Sequence, residues 1–174
     1  MTAALARVTL VLGGARSGKS RYAEALVRKA GGGIYLATAQ ALDGEMAARI
    51  ARHRAERGRG WTTVEEPLEL AAALERGAQA GQPILVDCLT LWLSNLMGAG
   101  RAVKPETAQL LAALKSLSVP VVFVSNEVGL GIVPDNALAR AFRDEAGRLN
   151  QAVAAAADRV VFLAAGLPLV LKGG

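Results

Sequence analysis

Histidine and cysteine are each used once in the 174 residues, as His53 and Cys88. A lone cysteine excludes a disulfide framework. One Cys with one His excludes a structural zinc cluster. A single unpaired thiol suits a reducing compartment, so the cytoplasm is the expected location. Aromatics are also scarce: two Trp, two Tyr and three Phe, 4% of the chain. That leaves little stacking surface for single-stranded nucleic acid. Long apolar runs are missing too. Val160 to Leu171, the longest uncharged apolar run near the end, is too short to span a bilayer. Val8 to Leu12 runs straight into Gly13-Gly14-Ala15-Arg16, which marks a buried strand rather than the apolar core of a signal peptide. No repeat, linker or low-complexity tract divides the chain, so residues 1–174 are expected to form one domain.

What is present is a large apolar fraction, 52% against 20% charged residues, with a mean hydropathy of +0.31. Such a composition excludes intrinsic disorder. The balance of 20 Lys and Arg over 15 Asp and Glu gives a net charge of +5. A basic surface favours anionic partners. With so few aromatics, small phosphorylated ligands stand ahead of nucleic acid.

Apolar runs and helical patterns alternate along the chain. Strands are expected at Arg7 to Leu12, Ile34 to Ala37, Trp61 to Val64, Ile84 to Val86, Val119 to Val124 and Arg159 to Ala164. A last one at Leu167 to Leu171 is weakened by Pro168. Helices are expected at Ser20 to Ala30, Asp43 to Arg57, Pro67 to Gly77, Leu89 to Met97, Pro105 to Leu117 and Asp135 to Ala157. Gly98 to Lys104 is expected as the mobile loop. The strands are continuous apolar runs, not alternating ones. That pattern predicts an α/β fold, a mostly parallel central sheet with helices on both faces.

Gly13-Gly14-Ala15-Arg16-Ser17-Gly18-Lys19-Ser20 fits the phosphate-loop pattern G-x-x-x-x-G-K-[ST], with an apolar strand before it and an amphipathic helix after it. Glycines let backbone amides wrap a phosphate closely, and the helix N-terminus adds partial positive charge. Lys19 is expected to reach the β- and γ-phosphates and Ser20 to ligate Mg²⁺. Asp87 ends the apolar run Ile84-Leu85-Val86. An acid there suits Mg²⁺ or its water shell, or caps the helix starting at Leu89. The guanine signature N-K-x-D is missing, so the residues do not choose ATP over GTP.

His53 shares a helical face with Met46, Ile50 and Arg57, beside Arg49, Arg52, Arg54 and Arg59. Neighbouring cations favour the neutral imidazole, which has a ring nitrogen free for nucleophilic attack. Taken alone, however, the pattern favours a packing histidine on a solvated basic helix. Ser125 to Pro134 follows an apolar strand and is placed where open α/β sheets bind ligands. Asp135 is the expected cap of the helix after it. Arg148, Asn150 and Gln151 are polar in an alanine-rich stretch, as a site edge or an exposed face.

Together these segments resemble the bifunctional adenosylcobinamide kinase/adenosylcobinamide-phosphate guanylyltransferases of cobalamin biosynthesis. The resemblance rests on Gly13 to Glu24, Tyr35 to Ala39, Asp43 to Ile50, His53-Arg54 and Trp61 to Glu65. It continues through Asn126-Glu127-Val128-Gly129-Leu130-Gly131-Ile132-Val133-Pro134, Phe142 to Asp144 and Asn150-Gln151. It implies a RecA-like P-loop NTPase fold. It implies phosphorylation of adenosylcobinamide by ATP or GTP, then transfer of GMP from GTP to adenosylcobinamide phosphate, with pyrophosphate released. The GMP-carrying histidine falls on His53. Nucleotide contacts fall on Gly13 to Ser20, Ala37, Thr38, Ala39, Arg54, Ala55, Glu56, Arg57, Glu65 and Asp87. Arg52 stands where some relatives carry a second histidine. The resemblance also implies a homo-oligomer such as a trimer. Two alternatives stand beside it: another P-loop small-molecule kinase with a structural His53, and a nucleotide-gated nucleic-acid-binding module suggested by the charge.

Overall fold

The computed structural model describes residues 5–40, 44, 47–48, 50–51, 58 and 60–174. The helix expected from Asp43 to Arg57 therefore falls largely outside the described residues, and His53, Arg54, Ala55, Glu56 and Arg57 wholly so.

Seven strands form one sheet: β1 Val8–Gly13, β2 Gly33–Ala37, β3 Trp61–Glu65, β4 Ile84–Asp87, β5 Val121–Asn126, β6 Arg159–Ala164 and β7 Leu167–Lys172. Their spatial order is β3-β2-β4-β5-β1-β6-β7. The first six pair in parallel, and β7 returns antiparallel on β6. Five helices complete the described fold: α1 Lys19–Lys29, α2 Leu70–Ala78, α3 Leu89–Gly98, α4 Val103–Ser116 and α5 Ala137–Ala156.

The continuous apolar strands follow from cover on both faces. Successive side chains of a strand point to opposite sides. Leu10, Leu36, Val86 and Phe123 enter one core with Leu74, Trp92, Leu93, Leu110 and Leu149 of the later helices. Val11, Tyr35, Leu85, Val122 and Val124 enter the other with Ala23 and Val27 of α1. Each fully buried large aliphatic or aromatic side chain contributes about 1.5–3 kcal/mol. The Trp92 indole N–H, inside the larger core, donates to Leu68 O at 2.8 Å, so its one polar atom is satisfied.

Three local expectations are corrected. Gly98 to Lys104 is no mobile loop: α3 runs through Gly98 and α4 starts at Val103. Arg101 ties the short link, donating to Glu106 Oε1 at 2.8 Å through Nε and pairing with Glu69. The Arg101 hydrogen bond holds Glu69 below the ordinary carboxylate range. Pro105 sits in the first turn of α4, where the missing N–H costs nothing. At the start of α5 the cap is Asn136, not Asp135; Asn136 Oδ1 accepts Ala139 N at 2.7 Å. Pro168 does not break the last strand, because β7 is an edge strand and needs hydrogen bonds on one side only.

Candidate active site

The carboxyl ends of the parallel strands form one rim, the place where such sheets bind ligands. Register brings the candidate residues there. Glu65, Ala37 and Asp87 align across β3, β2 and β4. Asp87 faces Val124 of β5, and Gly13 faces Asn126. The phosphate loop, residues 37–39, Glu65, Asp87 and the loop after β5 thus share one rim.

The phosphate loop leaves β1 and enters α1. Gly18 is the N-cap of α1 at φ 92°, with no side-chain cap and no acid in the first turn. The first amides of α1 therefore receive no side-chain carboxylate, and an uncapped helix start of this kind takes anions. Arg16 stands at φ 57°, in the left-handed region that turns the loop back. Ala15, Arg16 and Gly18 are exposed, whereas Ser17 is buried. Lys19 Nζ donates to Gly14 O at 3.0 Å, folding the ammonium back onto the loop. A Cβ on Gly13 would lie 2.4 Å from Ser17 Oγ and 2.8 Å from Leu163 O. Two backbone bonds stitch the loop to its neighbours: Glu127 N to Gly13 O at 3.0 Å, and Gly166 N to Ser17 O at 2.9 Å.

Asp87 is not a helix cap. The N-cap of α3 is Cys88, whose Sγ accepts Leu91 N at 3.5 Å. The Asp87 carboxylate, half-buried, instead accepts the Tyr35 hydroxyl at 2.5 Å. Burial first, and Asp87 second, push the Cys88 thiol up to about 11, so it stays protonated at neutral pH. Thr38 braces the ends of β2 and β4. Its buried hydroxyl donates to Cys88 O at 2.8 Å and accepts Cys88 N at 2.9 Å. Its own N–H donates to Asp87 O at 3.1 Å. Asn95 Nδ2 closes the brace on Thr38 O at 2.7 Å.

A second polar cluster fixes the end of β5. Ser125 Oγ donates to Asn150 Oδ1 at 2.7 Å, Asn150 Nδ2 donates to Asn126 O at 3.2 Å, and Asn126 N donates to Thr90 Oγ1 at 2.7 Å. Asn150 is therefore a buried site-edge residue. Gln151 and Arg148 are exposed, and Arg148 pairs with Glu145 at 2.5 Å.

The oxygen donors on this rim, the Ser20 hydroxyl and the Asp87 carboxylate, have the chemistry Mg²⁺ requires. Among the described residues no three His, Cys, Asp or Glu side chains converge as a metal cluster. Mg²⁺ held mainly by phosphates and one or two protein oxygens needs none. Sequence reasoning missed Tyr35, Asn95 and Thr90. The available signal for Tyr35 was a lone polar-tipped aromatic inside an aliphatic strand, two residues before Ala37.

Residues 9–171 match the model of the family described as cobinamide kinase / cobinamide phosphate guanyltransferase. The chain belongs to that family. It is 54% identical over 167 residues to the bifunctional adenosylcobalamin biosynthesis protein CobP of Pseudomonas aeruginosa, covering 94% of this chain and 96% of that protein. It is 44% identical over 178 residues to the bifunctional adenosylcobalamin biosynthesis protein CobU of Salmonella typhimurium, covering 94% and 98%. Among solved structures it resembles the ATPase domain of a helicase, with a TM-score of 0.51 at 12% identity over 90% of this chain and 68% of that one. It also resembles the flagellar accessory protein FlaH of Methanocaldococcus jannaschii, with a TM-score of 0.55 at 12% identity over 97% and 79%. At such identities the likeness concerns the fold, a mostly parallel P-loop NTPase sheet. Among the described residues no helix is long and apolar enough to cross a membrane.

Proposed function

We propose that the chain, as one catalytic domain, phosphorylates the hydroxyl of adenosylcobinamide with ATP or GTP and then transfers GMP from GTP to the resulting phosphate. The observation that carries this is the family match over residues 9–171 on a chain whose phosphate loop and Asp87 share one rim.

In the kinase step the loop amides and the start of α1 receive the triphosphate, and Lys19 moves from Gly14 O to the β- and γ-phosphates. Ser20 and Asp87 would hold Mg²⁺. When bound, that ion neutralises the charge that builds on the transferred group. Tyr35 orients Asp87, and Thr38 with Asn95 keeps residues 37–39 beside it. Ala37, Ala39 and Glu65 complete the nucleotide wall at the ends of β2 and β3.

In the second step a ring nitrogen of His53 attacks the α-phosphorus of GTP, and pyrophosphate leaves. An oxygen of the adenosylcobinamide phosphate then attacks the phosphoramidate and releases His53. The products are adenosylcobinamide-GDP and pyrophosphate, with the enzyme unchanged. Splitting one transfer into two is covalent catalysis. Arg54, Ala55, Glu56 and Arg57 follow His53 in sequence, and the two arginines neutralise the triphosphate as the α-phosphorus is attacked. His53 and these four residues lie outside the described residues, so their part rests on the sequence resemblance.

The assembly is a homo-oligomer such as a trimer. Supporting this, all of β7 is exposed as an edge strand, with Leu167, Leu169 and Leu171 each more than half in solvent. An apolar exposed edge needs a cover. The lone buried thiol supports a cytoplasmic location.

The test is intact-mass spectrometry after incubation with GTP and Mg²⁺. An added GMP, acid-labile and stable in alkali, is expected on the parent chain and absent from His53→Ala. That variant retains much of the kinase step. Full guanylyl transfer by folded His53→Ala would end the covalent reading.

A further inference from the structure

The loop between β5 and α5 holds large apolar side chains in water. Leu130 is 83% exposed, Ile132 99% and Val133 63%. Val128 before them and Leu138 after them are exposed as well. Glycines at 129 and 131 alternate with them, and no Lys or Arg interrupts residues 128–133. An apolar cluster of this kind marks a binding face.

Two observations say what covers it. The first is position. The loop starts at Glu127, whose N–H donates to Gly13 O, the first residue of the phosphate loop. Its root is rigid, held by the Thr90, Ser125 and Asn150 cluster. The second is chemistry. A triphosphate finds amides and Lys19 on this rim, and an uncharged apolar loop offers it nothing. The acceptor has the opposite needs. A corrin macrocycle carries methyl groups and neutral carboxamides around its edge, and one hydroxyl of it has to reach the γ-phosphate. It needs apolar area beside the triphosphate cradle, not inside it. A protein partner is better served by β7, which presents a regular strand edge.

We infer that the loop from Val128 to Val133 is the acceptor subsite, seating the apolar rim of the corrin macrocycle while the phosphate loop holds the nucleotide. This rests on the kinase and guanylyltransferase reading above. The rigid root fixes the distance from acceptor to triphosphate, and the two glycines let the tip adapt to the ring.

The test uses the full chain with Leu130→Ser and Ile132→Ser combined. Both side chains are exposed, so the substitution leaves the core intact. Three quantities are read: KM for adenosylcobinamide in the kinase step, the Kd for Mg²⁺-GTP measured without acceptor, and the sedimentation coefficient. The acceptor KM is expected to rise about tenfold or more, from lost apolar contact. The GTP Kd stays within about twofold, a shift of less than ~0.5 kcal/mol, and the sedimentation coefficient matches the parent. Leu130→Met with Ile132→Val keeps the parent KM. An unchanged acceptor KM overturns the proposal. A changed sedimentation coefficient, with acceptor and GTP affinities falling together, also overturns it and makes the loop a subunit contact. If the parent itself fails to phosphorylate adenosylcobinamide, the functional reading fails, and the proposal with it.

Discussion

The Tyr35 hydroxyl donates to Asp87 Oδ2 at 2.5 Å, joining the middle of β2 to the carboxylate that ends β4. The ring itself packs edge-on against Trp61, with centroids 5.9 Å apart and an interplanar angle of 80°. Tyr35→Phe keeps that packing and removes only the hydrogen bond. A hydrogen bond to a charged group contributes about 1.5–3 kcal/mol. The Mg²⁺ concentration that half-saturates nucleotide binding is expected to rise about five- to tenfold, with a Tm shift of a few degrees at most. A Mg²⁺ titration of GTP binding, followed without turnover, checks this. An unchanged midpoint would show that Asp87 acts away from the metal.

Lys19→Ala is expected to lower both activities by about two orders of magnitude or more, the scale on which a single phosphate-charge donor acts. One phosphate loop is described, and both reactions take a triphosphate. Separate kinase and guanylyl-transfer assays on the same preparation decide the matter. Near-parental guanylyl transfer would reveal a second triphosphate site.

Gly13→Ala places a methyl group where Ser17 Oγ and Leu163 O already stand. Overpacking of this kind costs about 1–3 kcal/mol, a Tm loss of about 3–10 °C for a chain of this length. The loop has to shift to make room, so GTP affinity falls too. Calorimetry and equilibrium binding on one sample test both halves. A parental Tm with parental affinity would contradict the tight approach of β1 to β6.

Cys88 is expected to resist alkylation in the native chain at pH 8 and to react at once on unfolding. Its thiol is pushed up to about 11 from an ordinary value of 9.0, chiefly by burial. The unfolded chain releases this proton first as pH rises. The thiol's contribution to stability is therefore full below about pH 9 and is lost between about pH 9 and 11. Urea unfolding midpoints measured across that window, with Cys88→Ala as reference, isolate it. An equal pH slope in both chains would refute the burial argument.

The sheet, its parallel sense and the phosphate loop were legible because each has a local signature. Val8 to Leu12 before Gly13 and the amphipathic stretch after Ser20 leave few alternatives. The helix caps were less legible. Asp135 and Asn136 are both good capping residues, and only backbone geometry chooses Asn136. At the end of β4 the polar Asp87 looked like the cap, yet the thiol of Cys88 took that place. Arg101 hid the order of its segment, because its partners Glu69 and Glu106 come from separate helical regions. The Tyr35–Asp87 bond and the Thr90–Ser125–Asn150 cluster span 25 to 52 residues of sequence. Such pairings depend on strand order, which no local pattern encodes.

The phosphate loop is stitched on both flanks, to Glu127 through Gly13 and to Gly166 through Ser17. Those two amides lie outside the nucleotide motif but bond directly to its carbonyls. Triphosphate binding, by stilling the loop, slows the opening that lets these amides exchange with solvent. Their deuterium uptake is therefore a site-specific gauge of occupancy. It follows filling of the cradle in real time, without a label on the ligand and without turnover.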